Sequence, residues 1–409
     1  MAEYALSLQG RGDELFKDFY GPISENVYNS ANVLLGRIKK SYKFGGREFV
    51  APVPLGFAGG FGASVIPKSN TADYDQVRFG RKKLYTVARV DRETVKASTS
   101  NEMAWLEGFK EATEKAVEEH MRNMSRMLFG DGTGALAVGD AATNVTGTGT
   151  GVDPYIVVLG TTTNDANIEN RSLINYHTET SELEIVDYNV TTRAMSLVGT
   201  SIGLAALTGG GPVPATRAFY MQNSKDQEMQ GLKGVCDATA GTLYGVPVQR
   251  RWQATRIDAA GKSLSTDLIN QIMLEIERKC QVPPKMIVTS YVQQTKLLNL
   301  LESDKVYNLP ARAENLKGLI SFAGIEFMST RGPIGVFADR FCDADRMYFI
   351  NDDHIEIMHA QGWGWFDDDG TVWLRAADRT DEYEAVYGGY AECYIKPTFQ
   401  GVIYNLATA

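Results

Sequence analysis

Cysteine and histidine are scarce in this chain of 409 residues, four of each, and their scarcity removes several chemistries at once. Cys236, Cys280, Cys342 and Cys393 lie far apart with no Cys-x-x-Cys pair, so neither a zinc site nor a disulfide framework is signalled. They read as reduced, mostly buried thiols of a cytoplasmic protein. His120, His177, His354 and His359 form no His-Glu-x-x-His arrangement and sit beside no nucleophile motif. No stretch reaches the roughly 18 consecutive apolar residues of a spanning helix. The start Met1-Ala2-Glu3-Tyr4-Ala5 lacks the basic-then-apolar order of a secretory signal, so neither a membrane nor secretion is expected. Basic excess is missing too. With 41 Lys and Arg against 50 Asp and Glu, the net charge is -9, which opposes tight nucleic-acid binding built on neutralised phosphates. Any contact with DNA is expected to be weak and non-specific.

What the chain does have is length and apolar content. At 44% hydrophobic residues it can bury a sizeable core, and its length suggests two or three domains. The first fifty residues mix short apolar groups (Leu15, Phe16, Phe19, Tyr20) with a helix-like run over 25–39 and offer no complete core, as an arm would. A tract over 51–67, with Pro52, Pro54, Gly56, Gly59, Gly60 and Gly62, has too little patterning for a stable element and reads as an exposed limb of a loop. From 76 to 98 the pattern turns extended, with Leu84-Tyr85-Thr86-Val87-Ala88-Arg89-Val90 alternating large and small or polar side chains. Paired with the preceding limb, this predicts a long hairpin. A two-stranded hairpin alone is marginal in water, so it needs a neighbouring surface.

Residues 101–129 carry the strongest helix signal. Trp105, Leu106, Phe109, Ala112, Ala116, Val117, Met121, Met124 and Leu128 fall on one broad face, and Glu111 with Lys115 and Glu118 with Arg122 stand at i,i+4 on the other. The run ends in Gly130-Asp131-Gly132-Thr133-Gly134. Residues 139–222, rich in Thr, Gly, Asn and Val, predict a small β domain with strands near 155–159, 182–189 and 193–198. Beyond Gly231-Leu232-Lys233-Gly234-Val235 the texture is mixed α/β. A helix over 264–280 capped by Ser263 or Ser265 precedes a strand at 286–289, and Ser290 caps a second helix to 301. Short strands follow at 325–328, 334–337, 347–350 and 354–358, with closing strands at 372–375, 390–395 and 402–406.

Candidate chemistry is thin. Gly147-Thr148-Gly149-Thr150-Gly151 has the look of a phosphate loop, but no Lys-Ser/Thr follows and no helix pattern opens, so a turn is expected. His354 and His359 with Asp352, Asp353, Asp367, Asp368 and Asp369 form the one cluster resembling metal ligands; as solvated turns they need no metal, since Asp and Gly favour turns for backbone reasons. The methionines of the long helix (Met103, Met121, Met124, Met127) fit core filling better than a partner-binding face. Trp363 and Trp365 lack the interleaved Lys or Arg of a nucleic-acid platform and suit packing or subunit contact. No catalytic, cofactor or metal residue is assigned, and the chain is not expected to be an enzyme.

The order of elements, and above all the run Leu84-Tyr85-Thr86-Val87-Ala88-Arg89-Val90-Asp91-Arg92-Glu93-Thr94-Val95-Lys96-Ala97-Ser98 leading into the long helix, resembles the Hong Kong 97 fold of tailed-bacteriophage major capsid proteins. Gly231-Leu232-Lys233-Gly234-Val235 and the C-terminal run through Trp373-Leu374-Arg375, Tyr390 and Pro397 add to the resemblance. It covers nearly the whole chain apart from 139–222. The resemblance implies an α+β fold with an N-terminal arm (1–47), an extended hairpin loop (48–98) and a spine helix with the start of a peripheral domain (99–138). An axial α/β domain (223–360) and return strands of the peripheral domain (361–409) complete it, while the inserted small all-β domain (139–222) is a departure found in only some relatives. It further implies a virion protein, assembled in the host cytoplasm into hexamers and pentamers of an icosahedral shell around double-stranded DNA. Its partners would be further copies of itself, a portal protein, and scaffolding or decoration proteins. Phe57, Phe61, Val65, Ile66, Lys68, Tyr85 and Arg89 become candidates for contact between subunits. Some relatives form Lys to Asn cross-links; Lys68 and Asn405 fit ordinary surface residues, and no cross-link is expected of them. Two other readings stand beside this one: an encapsulin-like compartment shell, and, from another class, a metal-assisted hydrolase using Asp352, His354 and Asp367. The hydrolase requires stoichiometric metal and a monomer or small oligomer, whereas a shell protein gives metal-independent particles of megadalton mass.

Overall fold

The computed structural model describes residues 33–56, 73–91, 102–161, 163–177, 182–199, 213, 217–249, 251–302, 325–329, 332–367, 370–375 and 380–408, with the side chains of 102–111, 301–302 and some others left out. In chain order these form α1 (Val33–Arg37), β1 (Lys39–Ser41), β2 (Glu48–Gly56), β3 (Asp73–Gly80), β4 (Lys82–Asp91) and the long helix α2 (Glu102–Phe129). Then come β5 (Ala135–Val138), β6 (Tyr155–Val158), β7 (Leu173–Tyr176), β8 (Glu182–Asn189), β9 (Ala194–Val198) and β10 (Ala218–Met221). Next are α3 (Leu232–Asp237), β11 (Thr242–Leu243), β12 (Val246–Pro247), β13 (Thr255–Asp258), α4 (Thr266–Cys280), β14 (Met286–Thr289) and α5 (Tyr291–Glu302). The remainder is β15 (Ile325–Ser329), β16 (Gly332–Ala338), β17 (Met347–Ile350), β18 (Ile355–Trp365), β19 (Leu374–Arg375), β20 (Glu382–Ile395) and β21 (Gly401–Tyr404). The chain divides into two compact units: Met1–Glu48 with Gly80–Ser125 and Glu356–Cys393, and Phe49–Phe79 with Arg126–Ile355 and Tyr394–Ala409.

The first unit is a helix laid on a sheet. Its strands run β1-β18-β20-β19, with β4 on the other edge of β20. Strand β4 alternates strictly, burying Leu84, Thr86 and Ala88 and exposing Lys83, Tyr85, Val87 and Arg89, the two-residue period of a half-buried strand. Its inward side meets α2. The Thr86 hydroxyl lies 3.2 Å from His120 Nδ1, and the His120 ring packs on Trp363 of β18 and Tyr387 of β20. Along α2, Thr113, Ala116, Val117, His120, Met121 and Met124 are buried at the three-and-four spacing expected of one helix face. On the outer face of α2 Lys115 reaches Glu118 at 3.1 Å, one turn on; the Glu111 side chain, expected beside Lys115, lies outside the described residues.

The partner of β4 is a correction to the sequence reading. Residues 82–91 pair antiparallel with β20, Lys82 opposite Ala391 and Asp91 opposite Glu382, and β3 is the strand that pairs with β2. The physical reason lies in the inward set Leu84, Thr86 and Ala88. In a free ribbon these would stay wet, whereas against β20 and α2 they are buried. The helix-like run over 25–39 survives in the described residues as α1 alone, and the candidates Phe57, Phe61, Val65, Ile66 and Lys68 lie outside them.

In the second unit, residues 135–221 build a six-stranded antiparallel sheet in the order β5-β10-β7-β8-β9-β6. Its ends meet. Gly139 bridges Leu159, the Gly160 N–H donates to Val138 O at 2.9 Å, and the Asp140 N–H donates to Val158 O at 2.8 Å. Isolated bridges between the two end strands thus curl the sheet into a small barrel. Its inside is filled by alternate side chains: Tyr155, Val157, Ile174, Tyr176, Leu183, Ile185, Met195, Leu197 and Phe219 are all buried. The glycine-rich stretch 147–151 is a turn, as expected, held by the N–H groups of Thr148, Gly149 and Thr150 donating to the Asp153 carbonyl.

The α/β part of the second unit is a mixed sheet, β13-β21-β17-β14-β16-β15, with β13/β21 and β14/β16 parallel. Helix α4 buries Ile269, Ile272, Met273 and Ile276 against it, begins at Ser265, whose side chain accepts the Leu268 N–H, and ends with Gln281 in the left-handed conformation at φ 61°. The Ser290 hydroxyl accepts the Gln293 N–H at the start of α5. Gln293 itself is fully buried and donates to the carbonyls of Ala344 and Ala407, each at 2.9 Å, which ties down the C-terminal segment.

Arg126 and Glu228 form an ion pair with both side chains under a tenth exposed. Removing one member of such a pair leaves a buried charge without its partner. Glu228→Ala is therefore expected to lower stability by about 3–5 kcal/mol, and Arg126→Met with Glu228→Leu to recover most of that loss, measured by urea unfolding. A second expectation concerns Gly388 in β20, where a Cβ would come within 2.2 Å of the Leu84 carbonyl oxygen. Gly388→Ala should cost about 1–3 kcal/mol in the same assay, because β4 and β20 cannot both keep their places.

Candidate assembly surface

One face of the first unit's sheet is covered by α2 and the other carries an aromatic patch. Opposite pairs across β4 and β20 set its composition: Lys83 faces Tyr390, Tyr85 faces Gly388, Val87 faces Val386 and Arg89 faces Glu384. Gly388 leaves room beside the Tyr85 ring, which lies 5.8 Å from the Phe366 ring and 6.2 Å, edge-on, from the Tyr390 ring. The two phenol oxygens are 3.4 Å apart, and the Arg81 guanidinium and Lys83 ammonium lie 5.6 and 5.9 Å from the Tyr390 ring centre. Partial burial and then the Tyr390 hydroxyl push the Tyr85 phenol up to about 12. Arg89 pairs with Glu384 at 3.6 Å and Glu382 at 3.7 Å, fixing the far end of the patch.

Tyr85 and Val87 remain 50% and 46% exposed, large apolar surface on the strand at the edge of β20. Contiguous exposed apolar patches with a charged rim are the usual mark of a binding surface. Of the seven contact candidates, then, the structure places Tyr85 and Arg89 together on this face; the other five lie outside the described residues. Phe366, Tyr390, Arg81 and Lys83 belong to the same patch and were missed. The alternation of β4 could have implicated Lys83, but nothing local in the sequence tells which residues of β20 stand opposite.

The cluster resembling metal ligands does other work. Asp352, Asp353 and His354 form a single 3-10 turn, in which the Asn351 side chain accepts the Asp353 N–H. Lys285 pairs with Asp353 and lies 3.9 Å from Asp352, and the His354 ring stacks on Phe399 with centres 3.6 Å apart. His359 lies in the first unit, stacked on Tyr42 and edge-on to Trp363. The Asp367 backbone carbonyl accepts the Gly370 N–H in a turn, and Asp368 and Asp369 lie outside the described residues. Among the described residues no group of three or more His, Cys, Asp or Glu gathers that could hold a metal. Trp365 packs on Tyr387 at 5.2 Å, and the Asn405 amide donates to Asp258 at 3.0 Å. No helix among the described residues is long and apolar enough to cross a membrane.

The arrangement of helix, sheet and barrel can be compared with solved structures. A chain of the cyanophage A-1(L) capsid asymmetric unit matches 91% of this chain and 90% of its own length, at 11% identity and a TM-score of 0.53. This chain has the fold of a phage capsid subunit. A chain from the capsid of a native GTA particle matches 91% of this chain and 90% of its own at 9% identity and a TM-score of 0.45. One from the holo-SrpI encapsulin complex of Synechococcus elongatus PCC 7942 matches 93% and 90% at 6% identity, with a TM-score also of 0.45. No family profile matches, and neither does any curated protein.

Because the Tyr85 ring packs on Phe366 and Tyr390 while half of it stays in water, truncating it removes part of this cluster and leaves the core intact. Tyr85→Ala is expected to cost the unassembled chain about 0.5–1.5 kcal/mol, read from its urea unfolding midpoint.

Proposed function

We propose that this chain is a structural major capsid protein with the Hong Kong 97 fold, assembling through hexamers and pentamers into an icosahedral shell around double-stranded DNA. The observation that carries the reading is the match to a cyanophage capsid chain over nine-tenths of both lengths. The patch formed by half-exposed Tyr85 and Val87 with partly buried Phe366 and Tyr390 beside them supports it, since a shell subunit must keep apolar surface in reserve for its neighbours. Rings close by heterologous contacts, in which one surface of a subunit meets a different surface of the next. In this reading the patch is one side of that contact, Arg89 and its two glutamates set its register, and the barrel of residues 135–221 is the inserted domain. The net charge of -9 suits an inner wall that holds a dense polyanion without gripping it. The protein would act mechanically, with no catalytic residue, in the virion, alongside a portal and any scaffolding or decoration proteins.

Negative-stain electron microscopy with sedimentation of the purified chain tests the proposal, with hollow particles or capsomer rings expected. Persistence as a compact monomer, with or without a scaffolding protein, would overturn it; particles filled with protein cargo instead of DNA would point to a compartment shell. A carboxylate in the middle of the patch should act on assembly alone. Val87→Asp is expected to leave the unfolding midpoint within about 0.5 kcal/mol of the parent while the particle peak disappears from sedimentation profiles.

A further inference from the structure

Trp363 of β18 stands between two buried histidines. His120 of α2 approaches its ring edge-on at 4.9 Å, and His359 of β18 does so at 5.1 Å. Both are almost wholly enclosed, at 2% and 1% exposed. Among the described residues His120 Nδ1 meets only the Thr86 hydroxyl, its Nε2 has no hydrogen-bond partner, and neither ring nitrogen of His359 has one; the Trp363 N–H is likewise unpartnered. Tyr42, itself 70% exposed, stacks over His359 at 5.2 Å and shields it from water. A neutral imidazole tolerates such a site. An imidazolium does not, because it brings a charge and a second N–H into a seam where, among the described residues, the Thr86 hydroxyl beside His120 Nδ1 is the one acceptor and His120 Nε2 and both nitrogens of His359 have none.

We infer that the seam between α2 and the sheet of the first unit is an acid-sensitive latch, closed while His120 and His359 are neutral and opened when they take up protons. Among the described residues the groups facing His120 are Thr86 of β4, Trp363 of β18 and Tyr387 of β20, none of them charged at neutral pH. His359 faces Tyr42, Trp363 and the Lys40 ammonium of β1, which repels a proton there. Burial lowers both imidazoles to about 4, with Lys40 adding to the effect at His359. The sign follows from linkage. The unfolded chain takes up these protons first as pH falls through the ordinary histidine range near 6.5, so the histidine contribution to stability is complete above that range and gone by about pH 4. The latch concerns the folding of one unit and does not depend on the shell reading.

The test follows hydrogen exchange of peptides from α2, corrected for intrinsic rate, in the full chain between about pH 7.5 and pH 3.5. Wild type is expected to lose protection of α2 as pH falls from about 6 to about 4, and His120→Phe with His359→Phe to move that midpoint down by at least about one pH unit. His177→Gln with His354→Gln, which leaves the seam untouched, should track wild type. Coincident midpoints for the Phe pair and wild type would overturn the latch. Should the Phe pair fold poorly at neutral pH, titration of labelled histidine in the wild-type chain decides: two imidazoles titrating near 4 support the latch, and all four near 6.5 overturn it.

Discussion

The pairing of β4 with β20 brings together residues about three hundred positions apart in the chain, Tyr85 and Tyr390 among them. The rest of the first unit depends on it. Helix α2 finds its floor on the inward side of this pair, where Thr86 and Tyr387 meet His120, and the aromatic patch exists because the outward sides of the same two strands stand in register. Gly388 lets the strands approach closely enough for both faces to form. Such a contact closes a very long loop, and its entropy must be met before it gives anything back, so non-local pairing of this kind belongs to the slow part of folding.

Much of this architecture is legible in the sequence where the cause is local. The two-residue alternation of 84–90, the three-and-four spacing along 112–124, the serine before each of the two later helices and the turn residues after 129 all act within a few positions, and the corresponding elements stand within a residue or two of where those signals put them. Pairing is another matter. The limb before residue 76 looked like the partner of β4 because it is near in sequence, yet the partner is β20, whose long run through Glu382–Ile395 contains Gly388 and Gly389 and reads locally as a broken strand. The same limit applied to the patch. Tyr85 and Arg89 could be singled out from β4 alone, whereas Phe366 and Tyr390 joined them through a register that no local pattern encodes.

The acidic turn at 351–354 shows the converse. Three potential ligands in a row suggest chemistry when read as letters, but their geometry is that of a 3-10 turn closed by Asn351, neutralised by Lys285 and covered by Phe399. Of the two histidines that do sit in an unusual environment, His120 stands on a helix face otherwise occupied by Thr, Ala, Val and Met, and its sequence neighbours give no hint of the Trp363 ring beside it.

The closure of the barrel bears on how this chain could have come by it. The barrel's first strand and its last are direct neighbours, Ala135 standing opposite Tyr220, so the chain leaves and re-enters at points about 5 Å apart, one strand spacing. To the remainder of the second unit, the whole of 135–221 is then geometrically equivalent to a tight turn. A body joined at one such gap can be lengthened, exchanged for an unrelated body or reduced to a few residues without altering the distance that the flanking helices must span. Lineages sharing the surrounding frame are thereby free to differ most at this one place.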